Sequence, residues 1–400
     1  MLHKIIIASD SFKGSLTSAQ VGEAAASGIK EACPECRTEI ICIADGGEGT
    51  AAILTAALDG YMTEVIVRGP SGKPVKAAYG ITKEPDGEFI AIMDIAQASG
   101  LTLLDNEERN PLVTSTYGTG EMIADALKKG CRKFLIGLGG SATNDGGSGM
   151  LEALGYRFLD KRGGIINNCC GKELAEIADI DESHVIPQLR EAEFTIACDV
   201  ESVFYGPEGA SFTFAPQKGA DLRMTGILEK GMISFADVIR RKYGTDLSKI
   251  KGSGAAGGLG GAFITFLNAT TEKGTDLILD TLKFDERIQG ADLIITGEGR
   301  IDSQTSKGKA VSGVLKRAAL AGIPVVALCG ISDIRHVRCS GFKAILPICP
   351  RPQNEKELAE AMHPDTASEN IRKTVSGYIR SLSSDPVQEK DHQAERSDRS

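Results

Sequence analysis

The sequence predicts an α/β fold in two domains. One is a Rossmann-like or flavodoxin-like parallel-sheet domain built from both chain ends; the other is a second α/β domain inserted into it. Three observations carry this expectation. Apolar runs and amphipathic helical stripes alternate near the N-terminus, a turn cluster followed by a hairpin pattern interrupts that alternation, and the same βα rhythm returns from Leu293 onward. The expected bounds are residues 1–70 and 288–380 for the discontinuous domain and 71–287 for the insertion, with 381–400 as a disordered tail.

Each element follows from its residues. His3 to Ala8 is a short apolar run, and Asp10 to Leu16 reads as the loop after it. Thr17 and Gln20 form a T-x-x-Q capping box, opening a helix whose Val21, Ala25 and Ile29 share one stripe. Thr38 to Ile43 reads as the next strand, Thr50 to Leu58 as a helix behind a Gly-rich loop, and Tyr61 to Val67 as a third strand. Gly69 to Pro74 is a turn cluster, and Val75 to Ile81 with Glu88 to Asp94, joined through Pro85-Asp86-Gly87, reads as an antiparallel hairpin. Long Gly-rich loops fill the middle of the chain. Leu293 to Thr296, a helix over Lys309 to Ala321, Val325 to Cys329 and Ala344 to Leu346 restore the βα pattern. Ser381 to Ser400 holds almost nothing apolar and cannot bury enough surface to offset its ordering entropy.

Composition narrows the function. The chain has 400 residues, 42% hydrophobic and 25% charged, within the range of globular proteins with a sizeable core. No apolar run approaches the roughly 18 residues needed to span a bilayer, and the apolar stretch after Lys4 is too short for a signal-peptide core. A soluble, cytoplasmic protein is expected. The net charge of −9 argues against nucleic acid as the main partner, because phosphate-backbone binding needs a basic face. Any anionic ligand must meet local cations instead. Ten cysteines without an export signal read as reduced thiols, including Cys33 and Cys36, taken as two thiols at a helix-to-strand corner. None of the five histidines pairs with a cysteine at ligand spacing, which argues against a structural metal.

Five segments join glycine to an acid or a cation between predicted elements: 10–15, 44–50, 139–147, 206–220 and 296–305. Glycine lets backbone N–H groups approach an anion, and a following helix N-terminus adds positive potential. Acids in such loops can hold Mg²⁺ or accept the proton of an attacking hydroxyl, and Lys or Arg can neutralise charge on a transferred group. One such loop is commonly only a capped βα turn; five together point to phosphoryl transfer. The pattern GxxxxGK[ST] and the protein-kinase motifs are both absent. Gly252-Ser253-Gly254-Ala255-Ala256-Gly257 fits GxGxxG, but a short, mostly polar run precedes it. It reads as a helix start whose glycines serve close packing or nucleotide contact.

These segments resemble the type I glycerate kinase family from about Lys4 to about Ser376. The resemblance rests on Asp-Ser-Phe-Lys-Gly-Ser at 10–15, Ala-Asp-Gly-Gly-Glu-Gly-Thr at 44–50 and Gly-Leu-Gly-Gly-Ser-Ala-Thr-Asn-Asp-Gly-Gly at 137–147. It continues through Ala-Cys-Asp-Val at 197–200, Pro-Gln-Lys-Gly-Ala at 216–220, Gly-Ala-Ala-Gly-Gly at 254–258 and Ile-Thr-Gly-Glu-Gly-Arg-Ile-Asp-Ser-Gln-Thr at 295–305. The sequence departs from the family pattern at Glu201-Ser202-Val203, Ala215 and Ser306-Lys307. The resemblance implies ATP and Mg²⁺ as cofactors, glycerate as substrate, and 2-phosphoglycerate in preference to 3-phosphoglycerate as product.

Glycerate is small and anionic, so its carboxylate needs cations. Lys13, Arg300 and Lys218 are candidates for the substrate or the γ-phosphate. Asp45, Asp199 and Asp302 are unranked candidates for Mg²⁺ binding or for the general base. Gly139, Gly140, Ser141, Asn144 and Asp145 are expected to cradle nucleotide phosphates, with Gly254 and Gly257 nearby.

Overall fold

A computed structural model describes residues 2–44, 46–47, 49–301, 310–332, 341–349 and 354–384. The chain divides into two compact units, one of Met1–Ile43 with Lys283–Ser400 and one of Ala44–Leu282. The first unit opens with β1 (Lys4–Ser9) and β2 (Arg37–Ile40). The second holds β3 (Tyr61–Arg68), β4 (Pro74–Lys83), β5 (Phe89–Asp94), β6 (Cys131–Gly137), β7 (Arg157–Leu159) and β8 (Ile165–Ile166). It continues with β9 (Asp179–Asp181), β10 (Glu193–Ala197) and β11 (Thr270–Glu272). The first unit resumes with β12 (Leu293–Ile301), β13 (Val325–Ser332) and β14 (Ala344–Pro347).

In the first unit the order is β14-β13-β12-β1-β2, with every pair parallel. Counted within the unit, this is the flavodoxin-like order 2-1-3-4-5, and the topological switch falls between β1 and β12. Ile5, Ile6 and Ile7 are fully buried, as a central strand covered on both faces requires. The helix Ser18–Ala32 begins at the expected capping box, with both Thr17 and Gln20 engaged. Its buried Val21, Ala25 and Ile29 share a core with Ile371, Val375 and Ile379 of the helix Pro364–Ser384. Gly28 allows that close crossing, since a Cβ there would lie 2.4 Å from the Arg372 carbonyl oxygen.

The second unit has a six-stranded sheet, β11-β10-β6-β5-β4-β3, and a small sheet, β8-β7-β9. β11, β10, β6 and β5 run parallel; β4 and β3 are antiparallel. Phe134 of β6 stacks on Phe194 of β10 with ring centroids 4.6 Å apart, at the centre of a core that continues through Phe263. The hairpin read from the sequence is β4–β5.

Several expectations are corrected. Tyr61 to Val67 is not a third parallel strand of the N-terminal sheet. The 69–73 turn, with Gly69 N–H donating to the Lys73 carbonyl at 2.7 Å, folds it antiparallel onto β4. The break between units therefore falls after Ile43 rather than after residue 70, and before Lys283 rather than residue 288. Thr296 to Ile301 was read as loop; it is the carboxyl half of β12, in register with β13 through Ile301. Pairing with β13 along its length, and with β1 as far as Gly297, extends an otherwise Gly-rich stretch. Cys33 and Cys36 face each other across the turn at the helix end, with Cα atoms 5.5 Å apart, a spacing that a disulfide could bridge. Ser381 to Ser384 continue the last helix, and the rest of the expected tail lies outside the described residues.

Candidate active site

In the second unit, β5, β6 and β10 are parallel neighbours, so their carboxyl ends bring Asp94, Gly137 and Ala197 to one edge of the sheet. Ligands in open α/β sheets collect at such edges. Gly46 and Gly47 lie across it. A Cβ on Gly137 would come within 2.8 Å of the Gly46 carbonyl oxygen, and one on Gly139 within 2.5 Å of the Gly47 Cα. Glycine is required at both places because backbone meets backbone there. Asp199, two residues beyond β10, is half-buried, and its Oδ2 lies 3.8 Å from where a Cβ of Gly46 would sit. Asp94 accepts from the N–H groups of Gly49 at 2.9 Å and Ala51 at 3.1 Å, and so caps the helix Thr50–Ala57 from a different strand. Sequence reasoning missed Asp94. The available signal was an acid closing an apolar strand.

The loop after β6 divides into an outer and an inner part. Gly139 is half-buried and Gly140 exposed, with Gly140 at φ +76°. Ser141 forms a bridge to Gly100 and is 8% exposed. The inner part is buried. Asp145 is fully buried; its Oδ2 accepts from the Thr116 N–H at 2.7 Å, the Thr116 hydroxyl at 2.8 Å and the Gly149 N–H at 3.3 Å. Its Oδ1 accepts from the Gly147 N–H at 3.1 Å. Burial raises its carboxyl above the usual range, against the pull of those donors. Asn144 is also fully buried and donates to the Ser211 hydroxyl at 3.4 Å. The side chains of Asp145 and Asn144, expected at a phosphate cradle, both hold the loop from beneath. Gly254 and Gly257 are packing glycines too, since a Cβ would lie 2.1 Å from the Val203 carbonyl oxygen in one case and 2.0 Å from that of Thr143 in the other. Gly257 also sits at φ +71° and accepts from the Gly146 N–H at 3.0 Å. Lys218 is 2% exposed; its Nζ donates to the Ser141 hydroxyl oxygen and the Thr143 carbonyl oxygen, both at 2.7 Å.

In the first unit, the switch point gathers a second group. The Asp10 N–H donates to the Gly297 carbonyl at 3.0 Å, tying the end of β1 to β12. Phe12 and Leu16 close a tight loop, which exposes Lys13 beside Gly14 at φ +77°. A Cβ on Gly299 would be 3.7 Å from the Lys13 backbone nitrogen, and the exposed Arg300 follows on the same strand. Asp10, just past β1, and Glu298, within β12, are buried acids, 6% and 7% exposed. Reading 296–301 as loop hid the placement of Glu298. The candidates Asp45 and Asp302 lie outside the described residues.

The profile of the glycerate kinase family matches residues 5–383. This chain belongs to the glycerate kinase family. It is 44% identical over 349 residues to the glycerate kinase of Bacillus subtilis strain 168, covering 87% of this chain and 90% of that protein. It is 40% identical over 347 residues to the glycerate 2-kinase of Escherichia coli K12, covering 86% and 90%. A crystal structure named for a glycerate kinase 2 from Salmonella typhimurium LT2 superposes with a TM-score of 0.79 at 38% identity, covering 96% of this chain and 99% of that one. The chain is accordingly a kinase, a phosphotransferase with an alcohol group as acceptor. No helix among the described residues is long and apolar enough to cross a membrane.

Proposed function

We propose that the chain transfers the γ-phosphoryl group of ATP to a hydroxyl of D-glycerate, with Mg²⁺ as the metal, and that the product is 2-phosphoglycerate. The observation that carries this reading is the 40% identity to a protein named glycerate 2-kinase, spread over 86% of the chain. The geometry agrees in kind. Gly-rich loops and acids meet at the carboxyl ends of parallel strands in both units, where phosphate oxygens find backbone N–H groups and fixed charges.

Asp199 fits a magnesium ion: it is a hard oxygen donor, half-buried, close against the Gly46 backbone. Asp45 and Asp302 stand with it as candidate ligands or as the base that takes the acceptor's hydroxyl proton. Bound Mg²⁺ would neutralise phosphate charge as the phosphoryl group moves. Gly139 and Gly140 are the loop residues open to a phosphate, with the buried Ser141 beside them, while Lys13 and Arg300 are the exposed cations for the glycerate carboxylate or the γ-phosphate. The cytoplasm, where ATP and Mg²⁺ are both available, is the compartment this reading requires.

The test is a coupled assay of ADP release with D-glycerate, ATP and Mg²⁺, followed by phosphorus NMR of the product. ADP release must depend on glycerate and stop with EDTA. Release that is unchanged when glycerate is omitted would remove the substrate assignment. A 3-phosphoglycerate signal would overturn the choice of product alone.

A further inference from the structure

Lys218 ends a single turn, Pro216–Lys218, closed by Gly219 at φ +96°. From there the side chain runs inward to the underside of the loop after β6 and spends two of its N–H bonds on Ser141 and Thr143. Gly219 packs against the backbone of Arg109, where a Cβ would lie 2.2 Å from the carbonyl oxygen, so this turn has little room to shift. At 2% exposure, the ammonium is screened from solvent by the loop it supports. An ammonium only donates. The Ser141 oxygen therefore accepts from Lys218, and the hydroxyl proton must point elsewhere; among the described residues it has no acceptor.

We propose that Lys218 is a positioning residue that acts through Ser141: it fixes the Ser141 hydroxyl as a donor to an anionic phosphoryl oxygen of the nucleotide and strengthens that donor with its charge. This deepens the reading of the chain as an ATP-dependent kinase, and rests on it. A donor whose oxygen already accepts a charge-assisted bond is more acidic, so it bonds an anion more strongly. The arrangement also costs no reorganisation when the phosphate arrives, because the hydroxyl is oriented beforehand.

Burial pushes the Lys218 ammonium down from 10.5 to about 7, against the attraction of the Asp145 carboxylate. The charged groups around it are Asp145 on the loop above and Arg109 on the segment packed against Gly219; the adjoining helix Ala210–Phe214 carries none. The sign follows directly. The lysine is charged below about pH 7 and loses its proton as pH rises through that value, while a bound anion favours the charged form. Nucleotide affinity should therefore weaken as pH rises above 7.

The test uses the full chain with Lys218→Met, Ser141→Ala and the double variant. ATP binding is followed by calorimetry, which needs no acceptor and so separates this proposal from the choice of glycerate. Thermal melts and kcat and KM for ATP accompany it. Each single change should weaken ATP binding and raise its KM by roughly tenfold or more, the range of a charge-assisted hydrogen bond. The double variant should match Lys218→Met within about twofold, and the loss of affinity above pH 7 should vanish in both singles. Additive losses, or a lowered melt with unchanged ATP binding, would overturn the proposal. Should Lys218→Met fail to fold, Ser141→Ala decides alone: an undiminished pH dependence of ATP binding in that variant would refute a role exerted through the hydroxyl.

Discussion

Asp145→Ala should unfold the second unit rather than disable chemistry in a folded one. The carboxylate accepts four hydrogen bonds, from Thr116 N–H, the Thr116 hydroxyl, Gly147 N–H and Gly149 N–H. The three N–H groups belong to the starts of two helices, Tyr117–Lys128 and Ser148–Ala153, neither of which has a side-chain cap of its own from its N-cap residue. Alanine leaves all four donors buried without an acceptor. At about 1–3 kcal/mol for each buried group left unpaired, the loss is roughly 4 kcal/mol or more. That approaches the whole stability of a typical domain, about 5–15 kcal/mol. The assay is urea unfolding and a thermal melt of wild type, Asp145→Ala and Asp145→Asn, with activity measured on the folded fraction. Asparagine keeps one acceptor but turns an amide donor toward other donors, so it should fall between the two. An Asp145→Ala protein that melts with wild type but binds ATP much more weakly would refute the reasoning and return Asp145 to the phosphate cradle.

Lys13→Ala should lower kcat by about a hundredfold with little change in melting, because an exposed cation at a strand end stabilises charge without supporting the fold; near-native kcat/KM would take Lys13 out of the site. Thr17→Ala should lower stability by about 1 kcal/mol and leave KM unchanged, since it removes the capping box of a helix that packs on the C-terminal helix; urea unfolding measures it.

The fold was largely legible because its signals are local. The buried isoleucine run of β1, the capping box at Thr17 and the β4–β5 hairpin each declare themselves within a few residues. What was misread depended on pairing. Tyr61 to Val67 has the same apolar alternation whether it joins a parallel sheet or folds back on β4, and only the 69–73 turn chooses between them. Thr296 to Ile301 looks like a loop because of its two glycines, yet β13 holds its backbone extended through Ile301, with β1 alongside as far as Gly297.

The site was legible only as places along the chain, not as directions of side chains. Asp145 and Asp199 both follow a parallel strand, and residue type alone treats them alike. Their surroundings separate them. Asp145 is enclosed by N–H groups that include Thr116, 29 residues away in sequence, and a fully enclosed carboxylate has no face left for a metal. Asp199 is half-buried beside Gly46, its Oδ2 3.8 Å from where a Cβ of that glycine would sit. A local hint did exist for the first case. Asp145 stands directly before Gly146, Gly147 and a helix start, and an acid there is placed to accept the N–H groups of the next turn. The long-range half of the decision, that Thr116 would supply two further donors to the same oxygen, is set by how the helix Tyr117–Lys128 packs on the helix Ser148–Ala153. No pattern within one segment encodes that contact, which is why a Gly-acid motif marks where a ligand loop is built but not which of its acids faces the ligand.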